Sequence, residues 1–430
     1  MKCMLLFILI TLSMGEAHGQ STIHYGQLGR LRYCALPGFG VSEIKNVSGN
    51  YADAPNNTDT SFNFKIFFPD TARDNLSKRP FILLIHGGEY QVGSLSLNEN
   101  LSQQFAMRGY VAATINYRLS QWQTGNCLSS DSVLLWQNYY RSIQDTRAAL
   151  RYFVHYAKNF QIDTSWLFVG GQSSGAITSL AVAFQDQQET NAVTGPQNSG
   201  DIDHADNSLT DHFSIKGVLN EFGAIKYTAD IDANENIPVI SMHAQNDPLV
   251  PYGFNYLKWG LCGNAYPLAN GSGEIQQRLL SLGICGELNY SPSAKHVNLV
   301  ADDYVVKHTS CFFNSVMKNS CKADTFLIED NIKPECCFKI ADSIHKGFRT
   351  ALYDAPAIFY SEHHLVIEIA GDGSNFSAEV YNVWGMKMAQ FDVLKPGENF
   401  LPIELSGIYF VVVNQHKYPV ITKKLICIPE

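Results

Sequence analysis

What this 430-residue chain lacks narrows the field first. Charged residues make up only 17%, the formal net charge is −9, and no basic stripe occurs. That excludes the electrostatic footprint of a nucleic-acid-binding protein. Among the ten cysteines there is no C-x-x-C spacing, and no histidine pair at ligand spacing accompanies them, so a structural zinc site has no ligand set. The G-x-x-x-x-G-K pattern of a nucleotide-binding loop is missing too. Beyond Met14 no apolar run is long enough to span a bilayer. What remains is 45% hydrophobic and 12% aromatic, too much core-forming material for a disordered chain.

The start, "MKCMLLFILITLSMGEAHGQ", has a basic Lys2, an apolar core from Cys3 to Met14 and small residues at Ala17 and Gly19. It reads as a secretory signal peptide over residues 1–19. Cys3 lies inside the apolar core, which argues against a lipoprotein. In an exported chain cysteines pair. Cys262/Cys285 and Cys311/Cys321 close short loops and are the expected disulfides, with Cys34/Cys127 a long-range possibility and Cys336 and Cys337 unassigned.

From Ser61 onward strand-like and helix-like segments alternate. "FILLIHGG" and "YVAATINYR" are apolar runs of the kind that fill a buried parallel strand. "NYYRSIQDTRAALRYFVHYAKNF" places Tyr139, Ile143, Leu150, Phe153 and Ala157 at helical spacing. "SWLFVGG" is another buried strand, followed by the apolar helix "AITSLAVAF", and "FSIKGVLNEFG" and "IPVISMHAQND" supply two more strands. The alternation predicts an α/β class with a mostly parallel sheet flanked by helices. The polar stretch from Gln185 to Asp211 is expected to be a solvated surface insertion. After about Asp324 short alternating runs separated by Gly, Asn and Pro predict a small all-β sandwich of about seven strands.

The chemistry concentrates at strand ends. "GGQSSGA" follows a predicted strand and opens a predicted helix, so Ser173 occupies a nucleophile elbow and the Ser174 N–H can face an oxyanion. "IHGGEYQVGS" ends an earlier strand, and its Gly87, Gly88 and Glu89 can offer backbone donors to a developing negative charge. A serine hydroxyl needs a base held by an acid. Asp247 in "MHAQNDPLVPY" and His296 in "AKHVNLVADDY" follow in the order Ser, Asp, His. Four others are set aside as triad members: His243 as a strand residue that is either packed or supports a site residue from behind, Asp230 and Asp232 in a polar loop, and His308 as a surface residue.

With "HGGEYQVGS", "NYR", "VGGQSSGA", "HAQNDPLVPY" and "KHVNLV" in place, residues 63–318 resemble the carboxylesterase and lipase group of α/β-hydrolases. The resemblance implies a triad of Ser173, Asp247 and His296, an oxyanion hole at Gly87, Gly88, Glu89 and Ser174, and no cofactor or metal. The family's H-G-G-G is H-G-G-E here, so Glu89 stands where a glycine is usual. The tail pieces "VYNVWGMKM", "GENFLPIELSGIYFVVV" and "ITKKLI" resemble the C-terminal sorting domain of the type IX secretion system. That implies a Gram-negative bacterium of the Bacteroidota, passage through the periplasm, a secreted or cell-surface location and the type IX machinery as partner.

The expected organisation is therefore a signal peptide over 1–19, an α/β-hydrolase domain over 20–323, a connector over 324–361 and a β-sandwich sorting domain over 362–430. The expected activity is that of a serine carboxylesterase acting on small-molecule or polysaccharide-linked esters through an acyl-enzyme. Two rivals stand beside it. A prolyl-oligopeptidase-like peptidase shares the elbow, but the short stretch before Ser61 leaves no room for its β-propeller. A non-catalytic surface protein on a hydrolase fold would not need all three triad residues. For the tail, a carbohydrate-binding sandwich is the alternative.

Overall fold

The computed structural model describes residues 2–8, 41–53, 59–70, 76–119, 132–194, 200–258, 268–297 and 299–330, then 357–361, 364–369, 376–382, 386–395, 397–403, 407–415 and 418–428. The chain divides into two compact units, Leu31–Cys336 and a second made of Met1–Arg30 with Cys337–Glu430. Strand β1 (Lys2–Ile8) belongs to the second.

The first unit is built on β2 (Ile44–Asn50), β3 (Asn63–Pro69), β4 (Arg79–Ile85), β5 (Val111–Ile115), β6 (Ile162–Gln172), β7 (Ile215–Glu221), β8 (Ala224–Ile225), β9 (Val239–Ala244), β10 (Phe254–Tyr256), β11 (Leu268–Gly271), β12 (Gly286–Ser291) and β13 (Asp324–Leu327). Its nine-stranded sheet has the order β13-β12-β9-β7-β6-β4-β5-β3-β2. Only β3 runs against its neighbours; the strands from β5 to β13 are parallel. Strands β8, β10 and β11 form a small separate sheet.

Every residue of β4 and β5 is buried, because helices cover both faces and the strands need no polar side. The helices are α1 (Glu99–Met107), α2 (Ser132–His155), α3 (Ala157–Phe160), α4 (Ser174–Phe184), α5 (Gln187–Thr194), α6 (Ser272–Leu282) and α7 (Asp302–Met317). All of α4 is buried, as its apolar sequence demands. This is an α/β-hydrolase fold. From β4 the chain steps outward to β5 and then back past β4 to β6, so the winding direction reverses there. In open parallel sheets a ligand crevice forms outside the carboxyl ends of the strands at such a reversal.

Several expectations need correction. The disulfide is Cys285–Cys321, with a sequence separation of 36, not Cys262/Cys285 or Cys311/Cys321. Cys285 precedes β12 and Cys321 follows α7, and the return of the helix along the strand brings their Cα atoms to 6.0 Å. Nearness in sequence was the wrong guide. Cys311 is disulfide-bonded as well, while Cys34, Cys127, Cys262, Cys336 and Cys337 lie outside the described residues. The sheet runs past residue 323, because Asp324–Leu327 pairs in parallel with β12. The polar stretch from Gln185 is no loose loop. It begins with α5, buries Ile202, and is clamped to α2 by Arg147 on Asp203 (2.7 and 3.0 Å) and Arg151 on Asn207 (3.2 Å). His308 is buried, 3.0 Å from the Glu287 carboxylate and stacked on Tyr304.

In the second unit, β14 (Ala357–Ser361), β15 (His364–Ile369), β16 (Phe376–Asn382), β17 (Lys387–Leu394), β18 (Gly397–Pro402), β19 (Gly407–Gln415) and β20 (Tyr418–Ile428) form two antiparallel sheets, β14-β15-β18 and β1-β20-β19-β16-β17. Leu365 and Ile367 of one sheet share a core with Phe376, Ala378, Val380, Val411 and Val413 of the other. The apolar segment Lys2–Ile8, expected within a leader, lies along β20 from Lys2↔Ile428 to Ile8↔Thr422, where it covers an otherwise open sheet edge. Among the described residues no helix is long and apolar enough to cross a membrane.

Candidate active site

The β6–α4 turn is so tight that side chains are excluded on both sides of it. A β-carbon at Gly175 would lie 2.1 Å from the Ile85 carbonyl oxygen, and one at Gly171 would lie 2.3 Å from the same atom. Between them Ser173 takes φ 53° and ψ −120°, a conformation costing a non-glycine residue roughly 1–3 kcal/mol. The turn is held by the Ser173 N–H donating to the Glu221 carbonyl (2.9 Å) and the Ile177 N–H donating to the Ser173 carbonyl (3.0 Å).

Three residues from three strand ends meet there. Ser173 Oγ lies 2.9 Å from His296 Nε2, and His296 Nδ1 lies 2.7 Å from Asp247 Oδ2. A carboxylate only accepts, so Nδ1 carries the ring proton and Nε2 is left to accept from the serine hydroxyl. Asp247 Oδ1 accepts the Leu249 and Val250 amides at 2.8 and 3.0 Å. Burial pushes the Asp247 carboxyl up, but hydrogen bonds from His243 and His296, the His296 charge and the Leu249 amide outweigh it and hold the group at about 2. It is therefore ionised throughout the neutral range. Phe222 packs edge-on against the His296 ring at 4.8 Å.

The Gly-Gly loop lies alongside, because β4 and β6 are neighbours with Ile85 opposite Gly171. A β-carbon on Gly87 would sit 2.9 Å from the Gln172 carbonyl oxygen and 3.3 Å from Ser173 Cβ, so glycine lets this backbone come close without displacing the elbow. Gly88, Glu89 and Tyr90 all have positive φ (117°, 57° and 62°), and the Gln91 and Val92 amides fold back onto the Gly88 carbonyl at 2.9 and 3.1 Å. Glu89 thus adopts a left-handed conformation where a glycine would be unstrained. Ser174 is the first residue of α4, where the N–H groups of the opening turn are not consumed by the helix.

The loop is braced from behind. His86 stacks on Tyr117 at 4.4 Å, its Nδ1 is 2.7 Å from the Gly87 carbonyl, and Tyr117 donates to the His86 carbonyl at 2.9 Å. Burial lowers the His86 pKa to about 4, leaving the ring neutral. Arg118 binds Asp145 through its amide and Nε (2.6 and 2.8 Å) and Asp206 through Nη2 (3.0 Å), anchoring the chain just after Tyr117. At the end of β7 the buried Glu221 carboxyl is pushed up to about 8, first by burial and then by Asp302, against the Gln172 hydrogen bond.

All three residues expected to form the triad are brought together, and Gly87 is placed beside the nucleophile. Asp230 and Asp232 are engaged elsewhere, with Gln185 and the Asn234 amide respectively. Sequence reasoning gave no role to Tyr117, Phe222 or Glu221. The "NYR" piece was a signal for Tyr117. No pattern marks the other two, whose roles come from contacts across strands. Among the described residues no group of His, Cys, Asp and Glu could hold a metal ion.

Comparison with known proteins gives partial matches. The BD-FAE family model matches residues 64–236. Neuroligin-like protein glit-1 of Caenorhabditis elegans is 33% identical over 111 residues, 26% of this chain and 14% of that protein. Gut esterase 1 of the same organism is 32% identical over 101 residues, 23% and 17% of the two lengths. The matched region thus spans less than a fifth of either curated relative. Among solved structures, a truncated carbohydrate esterase from gut microbiota aligns at 17% identity and a TM-score of 0.42, covering 64% of this chain and 96% of its own. A butyrate-bound esterase of Thermogutta terrifontis aligns at 14% and 0.43, covering 65% and 96%.

Proposed function

We propose that this protein is a serine carboxylesterase that works through an acyl-enzyme. The observation that carries the reading is the unbroken hydrogen-bonded chain from Ser173 Oγ through His296 to Asp247, set at an elbow whose glycines admit no side chain. The BD-FAE match over residues 64–236, which takes in the elbow and the Gly-Gly loop, supports a hydrolase of this kind.

In the proposed reaction His296 Nε2 removes the Ser173 proton as Oγ attacks the ester carbonyl. The resulting imidazolium is held by the ionised Asp247, and the tetrahedral oxyanion takes backbone donors from Gly88, Glu89 and Ser174. Collapse expels the alcohol, protonated by His296. Water then attacks the acyl-serine, giving up a proton to the same nitrogen; collapse breaks the bond to Ser173 Oγ, which takes that proton back, and the acid leaves. No cofactor enters either half. The peptidase and pure binding readings find no observation of their own; binding alone would not require the strained Ser173 or its alignment with His296.

The disulfides at Cys285–Cys321 and Cys311 favour an oxidising compartment, which supports export through the periplasm to the surface or medium. Sorting by the type IX machinery remains the proposed role of the β-sandwich. The test is a panel of p-nitrophenyl esters of increasing chain length beside feruloyl and acetyl-xylan substrates, run on the parent and on Ser173→Ala. Turnover of at least one ester by the parent, abolished in the variant, is expected. Equal rates for the two would sink the reading.

A further inference from the structure

Behind Asp247 lies a second imidazole that the proposed reaction does not use. His243, in β9, is fully buried. Its Nε2 lies 3.2 Å from the Val250 carbonyl oxygen and 3.4 Å from Asp247 Oδ2, the same oxygen that binds His296, and its Nδ1 lies 2.8 Å from Ser272 Oγ. Ser272 is likewise buried, and Asn220 Nδ2 lies 3.0 Å from its hydroxyl and 3.0 Å from that of Ser241.

The direction of every bond in this chain can be worked out. The Gly223 N–H donates to Asn220 Oδ1 at 3.0 Å, which fixes which end of that amide carries the hydrogens. Asn220 Nδ2 then donates one hydrogen to Ser241 and the other to Ser272. Ser272, accepting from Asn220, can still either donate to His243 Nδ1 or accept from it. Nε2 decides: both its neighbours, the Val250 carbonyl and the Asp247 carboxylate, can only accept, so Nε2 carries the ring proton, and Nδ1 of the neutral ring is bare and takes the Ser272 hydrogen. The other titratable neighbour, the Tyr252 phenol, meets the ring edge-on at 5.8 Å.

The surrounding backbone presses these parts together. The Gly271 N–H donates to the Gly253 carbonyl (3.0 Å) and the Gly273 N–H to the Tyr252 carbonyl (2.9 Å), on either side of Ser272. A β-carbon at Gly271 would lie 1.7 Å from the Pro251 carbonyl oxygen. The start of α6 is thus strapped to the loop that carries Asp247.

We propose that His243, held in its Nε2–H form by the two acceptors at Nε2 and by the Ser272 hydroxyl at Nδ1, is a positioning residue that holds the Asp247 carboxylate in line with His296. This rests on the esterase reading for its kinetic consequence, but the wiring can be read without it. The bond to Asp247 is long and shared, and its loss should cost kcat on the order of tenfold, the lower range for a hydrogen bond to a charged group. KM should hardly change, because His243 touches no substrate.

The experiment combines kinetics with ¹⁵N NMR of histidine-labelled full-length protein. In the parent His243 should show the Nε2–H tautomer pattern. Ser272→Ala, a small change at a packed site, should give a mixed tautomer signal and a several-fold lower kcat at constant KM. His243→Leu should lose about tenfold in kcat, and His243→Gln, whose amide can donate near the Nε2 position, should recover most of it. A parent signal from the Nδ1–H tautomer would overturn the proposal, as would folded Ser272→Ala with both parental tautomer and parental kcat. A parent no more active than Ser173→Ala would defeat the esterase reading and with it the kinetic role, while the tautomer data would still decide whether the relay exists.

Discussion

Replacing both Cys285 and Cys321 by alanine should separate stability from catalysis. The bond closes a loop of sequence separation 36 that contains β12, His296 and α7. Chain entropy assigns closure of such a loop about 13 cal/mol/K, or about 4 kcal/mol at 25 °C. The disulfide at Cys311 lies within this stretch and already restricts the unfolded chain, so about 4 kcal/mol is the upper figure and about 2–4 kcal/mol the expected loss. In a unit of this size that corresponds to a melting temperature lower by ~3–6 °C. Native geometry should survive, because β12 stays in register with β9 and β13 through its own ladder and His296 keeps both its partners. The assay is urea and thermal unfolding of unreduced parent and double variant, with kcat/KM on a small soluble ester at 25 °C. A loss of stability below about 1 kcal/mol would refute the loop-entropy reasoning. An inactive but fully folded variant would show that the bond itself holds the base in place, contrary to the argument from the sheet.

Ser173→Ala should lower ester turnover on the order of 10⁴-fold or more with unfolding unchanged, whereas Ser174→Ala should keep activity because only its backbone is used; the reverse pattern in a steady-state assay would move the nucleophile. Asp247→Asn should cost roughly 10³–10⁴-fold, since an amide nitrogen can face His296 Nδ1 and invert the ring tautomer; pH–rate profiles against the parent test this. Glu221 has a folded pKa of about 8 against an ordinary 4.5, so its protonated form favours the fold fully below the lower value and the contribution is lost as pH rises through about 8. Glu221→Gln should therefore gain on the order of 1–2 kcal/mol over the parent by pH 9, and parallel stability curves from pH 5 to 9 would reject the assignment. A chain ending at Ile340, which retains β13, should keep the parent's specific activity on soluble esters while failing to leave the periplasm of a type IX host; active truncated enzyme in the medium would defeat the sorting reading.

How much of this was legible in the residues depends on the range of the interactions. Apolar runs such as "FILLI" and "WLFVGG" announced buried strands, and helical spacing announced α2, because strand and helix periodicity are local properties. The elbow was legible for the same reason, since two glycines around a serine at a strand end satisfy a steric demand met within a few residues. Ser173 and Asp247 were readable as well, because each follows a recognisable buried strand and parallel strands deliver their carboxyl ends to one edge, whereas His296 was picked out by the order Ser, Asp, His. Strand β12 was missed, since "GELNYS" is half polar and shows no apolar run, and β13 was lost in what looked like a connector.

Everything that depends on which segments lie side by side was decided by the tertiary structure alone. Cys285 chose Cys321 over nearer cysteines because a strand and its returning helix bring their far ends together. The stretch after Gln185 looked solvated but is tied to α2 by Arg147 and Arg151. His243 looked like a strand residue that either packs or supports a site residue from behind. Only the approach of the Val250 carbonyl and Asp247 to its Nε2, and of Ser272 to 2.8 Å from its Nδ1 by a turn 29 residues away, fixes where its proton lies and so which way it faces Asp247. A chain encodes its periodicities residue by residue, whereas the direction of a buried hydrogen bond depends on a partner that folding alone selects.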